Sequence, residues 1–351
     1  MPVSIVVGGQ YGSEGKGKVV HHFAKEFKVK AAVKVSGTNS GHTFIDEDGK
    51  AHIHRVLPSA STLPGVHSII PAGAVFDPEL LFKEMEEADL SPSSVYIHPN
   101  AGIITEEIKQ EEKWSGLASS IGSTVSGTGY ATVHRILADG KFMRACEVPE
   151  LDSYLIDTTK LMRRWLDNGD HIIIEGGQGF GLSLLHCNCY PFCTSRDTTA
   201  SAFLSEAGLS PFDVTNVIQV LRTYEIRVGG SSGPMKHEIT WEEVTRRAKA
   251  KEPIIERTSV TKKVRRVGEF DSQLVKRANI ANHPNIVVMN FMDYIAEIDN
   301  EEYANMLGFN RLSFLNMVAE TTGMRVTHVG FGPNDVRTVG EACAPNSLLY
   351  K

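Results

Sequence analysis

The chain has 351 residues, 41% hydrophobic and 22% charged, the composition of an ordinary globular protein long enough to bury a substantial core. Its formal charge of −6 argues against nonspecific nucleic-acid binding, although a local basic pocket for phosphates is still allowed. It contains no apolar run of about 18 residues, and the opening MPVSIVVGGQ lacks the basic start of a signal peptide, so neither a membrane span nor secretion is expected.

In chain order, an apolar run predicts a strand over 3–7 and a helical pattern follows over 16–27. Strands are predicted over 31–35 and 68–70, a helix over 78–87, a strand over 95–98 and a helix over 106–117. Next come strands over 171–174 and 217–221, helices over 241–251 and 271–281, a strand over 286–289, a helix over 311–322 and a strand over 325–329. This alternation predicts an α/β fold with a mostly parallel central sheet flanked by helices. No repeat or linker interrupts the pattern, so residues 1–351 are expected to form one domain with long functional loops. The Gly/Ser-rich stretches 119–129 and 229–233 are candidate mobile loops. The cysteines are Cys146, Cys187, Cys189, Cys193 and Cys343, and an odd number without a secretion signal predicts reduced thiols in a cytoplasm.

The strongest local signal is the run from Gly8 to Lys18, GGQYGSEGKGK, between the first strand and the first helix. Glycines there let backbone amides turn inward around phosphate oxygens, and the helix N-terminus adds partial positive charge. Lys16 is placed to reach terminal phosphates. The generic phosphate-loop pattern demands Ser or Thr after that Lys, and here the residue is Gly17.

Read more closely, QYGSEGKGK resembles the QWGDEGKGK signature of adenylosuccinate synthetases. The run Ser36 to Thr43, SGTNSGHT, resembles that family's GGxNAGHT. Glu175 to Gly179, EGGQG, is similar to EGAQG, and Tyr190 to Ala200, YPFCTSRDTTA, is similar to YPYVTSSNTTAGG. Arg227-Val228-Gly229, and Gly332-Pro333 with Arg337, match in family order.

The resemblance implies a phosphate-loop NTPase-like fold and a carbon–nitrogen ligase. Such an enzyme phosphorylates the 6-oxygen of a purine nucleotide and lets the amine of L-aspartate displace the phosphate. This chemistry asks chiefly for positioning and charge neutralisation. The catalytic candidates are Ser13, Lys16, His42 and Gln178. The implied triphosphate site comprises Gly12, Glu14, Gly15, Lys16, Gly17, Gly41, His42, Thr43, Asn290, Asp293, Gly332 and Pro333. The implied purine-monophosphate site comprises Ser13, Asn39, Ser123, Thr124, Arg135, Gln178, Thr194 and Val228, with Arg135 expected to reach a neighbour's nucleotide across a homodimer. Aspartate contacts are expected from Thr258, Ser259, Thr261, Lys263 and Arg265. Mg²⁺ is the implied cofactor, with Gly41 and the position of Ser13 as its protein ligands.

One departure alters the reading. The family carries Asp at position 13, where it accepts the proton of the ring nitrogen beside the 6-oxo carbon; here Ser13 stands. A hydroxyl is smaller, neutral, and both donates and accepts. It leaves room for the 2-amino group of guanine, so the resemblance points to the phage-type branch of the family, which makes 2-amino-2′-deoxyadenylosuccinate from dGMP. Lys263, where the family has an Arg associated with the ribose edge, suits a deoxyribonucleotide. Family members read the guanine of GTP with Lys and Asp where this chain has Asn290 and Asp293; the phage-type branch is associated with ATP, so ATP is the expected co-substrate and GTP the alternative. His186, Cys187, Cys189 and Cys193 lack the two separated ligand pairs of a zinc site. The expected partners are thus dGMP, L-aspartate and ATP, with no nucleic acid and no membrane, in a cytoplasm (a host's, for a phage-encoded chain).

Overall fold

A computed structural model describes residues 2–258, 262–296 and 311–342. Its centre is a nine-stranded sheet. In chain order the strands are β1 (Val3–Gly8), β2 (Ala31–Lys34), β3 (His67–Ile70), β4 (Val95–Ile97), β5 (Ile172–Glu175), β6 (Val214–Arg222), β7 (Ile286–Asn290), β8 (His328–Phe331) and β9 (Asp335–Thr338). Their spatial order is β9-β8-β7-β6-β1-β5-β2-β3-β4. Every pair is parallel except β8 with β9.

The middle strands are buried on both faces, which explains their continuous Val/Ile runs. Side chains alternate across the sheet. Val3, Ile5 and Val7 pack on one face with Phe203, Leu204 and Met162, which come from helices Ala200–Ala207 and Thr158–Asp167. Val6 faces the other way, onto Val19, Val20 and Phe23 of helix Lys16–Glu26. Helices Ser272–Asn282 and Arg311–Thr322 cover the β7–β8 side.

The predicted α/β class and mostly parallel sheet are what the structure has. Several elements differ from the sequence expectation. Helices Thr128–Leu137, Thr158–Asp167 and Ala200–Ala207 were not anticipated, nor was the hairpin His42–Ile45 with Ala51–His54. The last strand, predicted over 325–329, begins three residues later, because His328 to Phe331 is the stretch that pairs with β9.

Candidate active site

The carboxyl ends of the parallel strands deliver the chemistry, as expected for an open α/β sheet. Gly8 ends β1, Lys34 ends β2, Glu175 ends β5, Arg222 ends β6 and Asn290 ends β7. Above them lies a cavity of about 660 Å³.

The loop leaving β1 is held from below. Glu14, fully buried, accepts from the backbone N–H of Gly12 at 2.8 Å and of Gln10 at 3.2 Å. Its other oxygen takes the ammonium of Lys16 at 2.7 Å. Asn290 props the loop from β7, donating from Nδ2 to the Glu14 carbonyl at 2.7 Å. Gly15 has φ 84°, and a Cβ there would lie 2.7 Å from Asn290 Nδ2. At Gly17 a Cβ would come within 2.7 Å of the Thr43 carbonyl, which is why the hydroxyl residue of the generic motif does not fit.

Ser13 occupies the exposed crest of this loop with φ 58°. Its carbonyl accepts from Arg222 Nη1 at 2.9 Å, and its hydroxyl accepts from Arg265 Nη1 at 2.6 Å. Arg222 is itself paired with Glu256 and stacked over Phe291. Beside it, His42 begins the hairpin and is 8% exposed. Its Nδ1 meets the Glu175 carboxylate and lies 2.8 Å from Lys34 Nζ. Burial, then the Lys34 charge, lowers the His42 pKa to about 4, so the ring is neutral near pH 7. Burial opposes ionisation of Glu175, but Lys34 and then His42 outweigh it and keep the carboxyl well below the usual range.

The cavity wall brings together Gly12, Ser13, Gly15, Lys16, Gly17, Asn39, Gly41, His42, Thr43, Ser123, Thr124, Gln178, Thr194, Val228, Thr258, Lys263 and Arg265. These come from eight separate stretches of sequence, all singled out beforehand. Three of the residues expected at a triphosphate stand elsewhere. Asp293 accepts from Gly332 N–H at 3.2 Å, with Pro333 next to it, and Lys18 Nζ donates to the Gly332 carbonyl at 2.9 Å. Burial lowers the Lys18 pKa to about 8.

One expectation needs correcting. Asn290 is completely buried under the loop, so it supports the phosphate cradle and does not face a base. Arg135 is not on the wall of its own chain's cavity; its guanidinium donates to the carbonyls of Ala72, Gly73 and Asn100 and stacks on Phe142. Ser259 and Thr261 lie outside the described residues. The sequence reading does not single out Glu112 and Glu256, which line the cavity, nor Lys34 and Ser59, which donate to Glu175, nor Arg222, which donates to the Ser13 carbonyl. Glu175 sits inside the quoted EGGQG run yet was not chosen, because its partners are distant in sequence. Among the described residues no group of three or more His, Cys, Asp or Glu side chains is arranged to hold a metal.

Comparison with known proteins agrees with this geometry. The family profile described as adenylosuccinate synthetase matches residues 5–148 and 140–305. The adenylosuccinate synthetase of Methanocaldococcus jannaschii is 35% identical over 345 residues, covering 96% of each chain. The N6-succino-2-amino-2′-deoxyadenylate synthase of Vibrio phage phiVC8 is 32% identical over 348 residues, covering 95% of this chain and 97% of the phage protein. Among solved structures, the cyanophage S-2L succinoaminodeoxyadenylate synthetase, bound to dGMP and to dATP as an energy donor, superposes with a TM-score of 0.80 at 29% identity, over 96% of this chain and 95% of that one. The fully ligated Plasmodium falciparum adenylosuccinate synthetase has the same fold, with a TM-score of 0.80 at 18% identity over 95% and 98% of the two chains. A phosphate cradle at the head of a parallel sheet, facing a cavity lined with hydroxyls and a guanidinium, defines a nucleotide-using enzyme. The chain belongs to the adenylosuccinate synthetase family and is a carbon–nitrogen ligase.

Proposed function

We propose that this ligase joins L-aspartate to the six-position of dGMP, with ATP hydrolysed to ADP and phosphate, by way of a 6-phosphoryl intermediate. The product is 2-amino-2′-deoxyadenylosuccinate, a precursor of 2-aminoadenine DNA. The observation that carries this reading is Ser13. A small neutral side chain crests the loop on the cavity wall, with its hydroxyl held by Arg265 at 2.6 Å, where the family's carboxylate would stand. The phage relative and the cyanophage structure, named for this product, support the same choice.

In this reading Lys16 and the loop amides hold the transferring phosphoryl group. His42 meets the developing charge, and Gln178 lies beside the purine. Ser123, Thr124 and Thr194 offer hydroxyls to the monophosphate, with Asn39 and Val228 alongside. Arg265, with Lys263 and Thr258, takes the carboxylates of aspartate; a guanidinium fork suits that task. Asp293, Gly332 and Pro333 meet the base of the triphosphate, for which the dATP of the cyanophage structure favours adenine. Mg²⁺ takes most of its ligands from phosphates and water, so the Gly41 position on the cavity wall suffices as the protein's share. The Ser13 hydroxyl is a poor second ligand, because a guanidinium already faces it. When bound, the ion offsets phosphate charge. We further propose one working unit over residues 1–351, a homodimer, and a cytoplasmic setting.

The second reading is an ordinary adenylosuccinate synthetase that uses IMP and GTP, favoured by the archaeal relatives that bear that name. Purified protein with aspartate and ATP, offered dGMP or IMP, separates the two through phosphate release and product mass. Turnover of dGMP in preference to IMP is expected; turnover of IMP alone overturns the proposal. Ser13→Asp should depress dGMP use, and unchanged dGMP turnover would remove the steric argument.

A further inference from the structure

Glu175 does not line the cavity, yet four donors converge on its carboxylate. Lys34 Nζ donates at 2.8 Å, Ser59 donates from its backbone N–H at 2.6 Å and from its hydroxyl at 2.8 Å, and His42 Nδ1 makes the shortest contact. Glu175 is fully buried and Lys34 is 3% exposed. The two stand opposite each other at the ends of β5 and β2, so the register of the sheet itself sets their spacing.

We infer that Glu175 and Lys34 are positioning residues that fix the imidazole of His42 in its working orientation. Nδ1 is caught between an acceptor-only carboxylate and a donor-only ammonium. Turning the ring over would set a C–H edge against Glu175 Oε1, losing the histidine's contact and leaving that oxygen to Lys34 and the Ser59 hydroxyl alone. The hairpin gives little slack either: a Cβ on Gly17 would lie 3.2 Å from His42 Cβ, so the first helix turn packs directly on the histidine. With Nδ1 committed inward, Nε2 is the ring nitrogen left for the cavity. This inference rests on the proposed role of His42 at the transferring phosphoryl group. It adds that the role is prepared from inside the sheet by two residues that touch no substrate.

A double-mutant cycle tests it. Glu175→Gln, His42→Asn and the two together are assayed for kcat and for KM of aspartate. Glu175→Gln is expected to lower kcat about 10–100-fold, the scale on which orienting partners of histidines act, with KM nearly unchanged. In the His42→Asn background the same change should cost less than about 2-fold, because the residue acts only through the ring. An equal cost in both backgrounds, or an unchanged kcat, overturns the inference. If Glu175→Gln fails to fold, the pair is removed together as Lys34→Met/Glu175→Leu, which leaves no lone buried charge. That protein should fold and still lose kcat; full kcat would overturn the inference. A second measurement does not depend on turnover. The ¹⁵N spectrum of the His42 ring should show a protected Nδ1–H in the wild-type chain that is lost in Lys34→Met/Glu175→Leu, where no acceptor remains, and its persistence there would overturn the inference. A failure of the ligase reading shows separately, as a wild-type chain without aspartate-dependent phosphate release.

Discussion

Ser13→Asp has a consequence beyond the purine. The backbone at Ser13 is left-handed, φ 58°, a region Asp and Asn tolerate, so the loop should keep its shape. The new carboxylate would meet Arg265, whose Nη1 now lies 2.6 Å from the Ser13 hydroxyl and whose side chain is 12% exposed. Opposite charges about 4 Å apart in such a half-buried setting attract by about 4 kcal/mol before solvation costs. A charge-assisted hydrogen bond retains roughly 1.5–3 kcal/mol of this. Among charged partners Arg265 otherwise meets Glu256 at 3.9 Å from its Nε, which also donates to the Arg257 carbonyl at 3.2 Å. A carboxylate of aspartate would have to win the guanidinium from Asp at 13, so KM for aspartate should rise roughly 10–100-fold at about 1.4 kcal/mol per decade. Ser13→Asn, equal in size and uncharged, is the control and should change KM little. Initial-rate assays over a range of aspartate concentrations decide the matter. Equal KM values for the Asp and Asn variants would show that charge capture of Arg265 plays no part.

Asn290→Ala removes the strut from β7 to the Glu14 carbonyl and should cost about 1–2 kcal/mol in a urea midpoint, with a higher KM for ATP. Lys18 releases its proton near pH 8 in the fold and near 10.5 when unfolded, so the unfolded chain binds more protons between those values and stability from this group rises with pH there. Lys18→Met should abolish that rise, seen as a flatter dependence of the urea midpoint on pH. Glu225 has the opposite sign. Burial, and then Asp271, raises its pKa from 4.5 to about 8, so the folded chain binds the extra proton and its stability falls as pH climbs through that window. Glu225→Gln should therefore gain on the wild-type chain as pH rises from about 4.5 to about 8, in parallel urea titrations.

Much of the site was legible because its signals are local. Gly12, Gly15 and Lys16 lie within one turn of chain, and backbone geometry alone demands glycine at Gly15. Buried strands such as Ile172–Glu175 declare themselves by apolar runs. The missed helices carry weaker marks. Thr128–Leu137 opens on Gly127 without a side-chain cap and keeps Ile136 and Leu137 exposed, so no clean apolar face appears in its sequence. Asn290 could not be recognised as a strut, because its partner Glu14 lies 276 residues away. Glu175 and His42 are likewise 133 residues apart and meet only when the hairpin that His42 begins packs beside the end of β5.

The antiparallel pair β8 and β9 forms one rim of the sheet, and the turn between them carries Gly332 and Pro333. On the proposed reading, fuel choice falls to the periphery and bond making to the central strands. A rim hairpin has a neighbour on one side only, so its turn accepts new residues without repacking the middle. If that reading holds, exchanging residues 331–335 is expected to give a chain that burns a different triphosphate while building the same product.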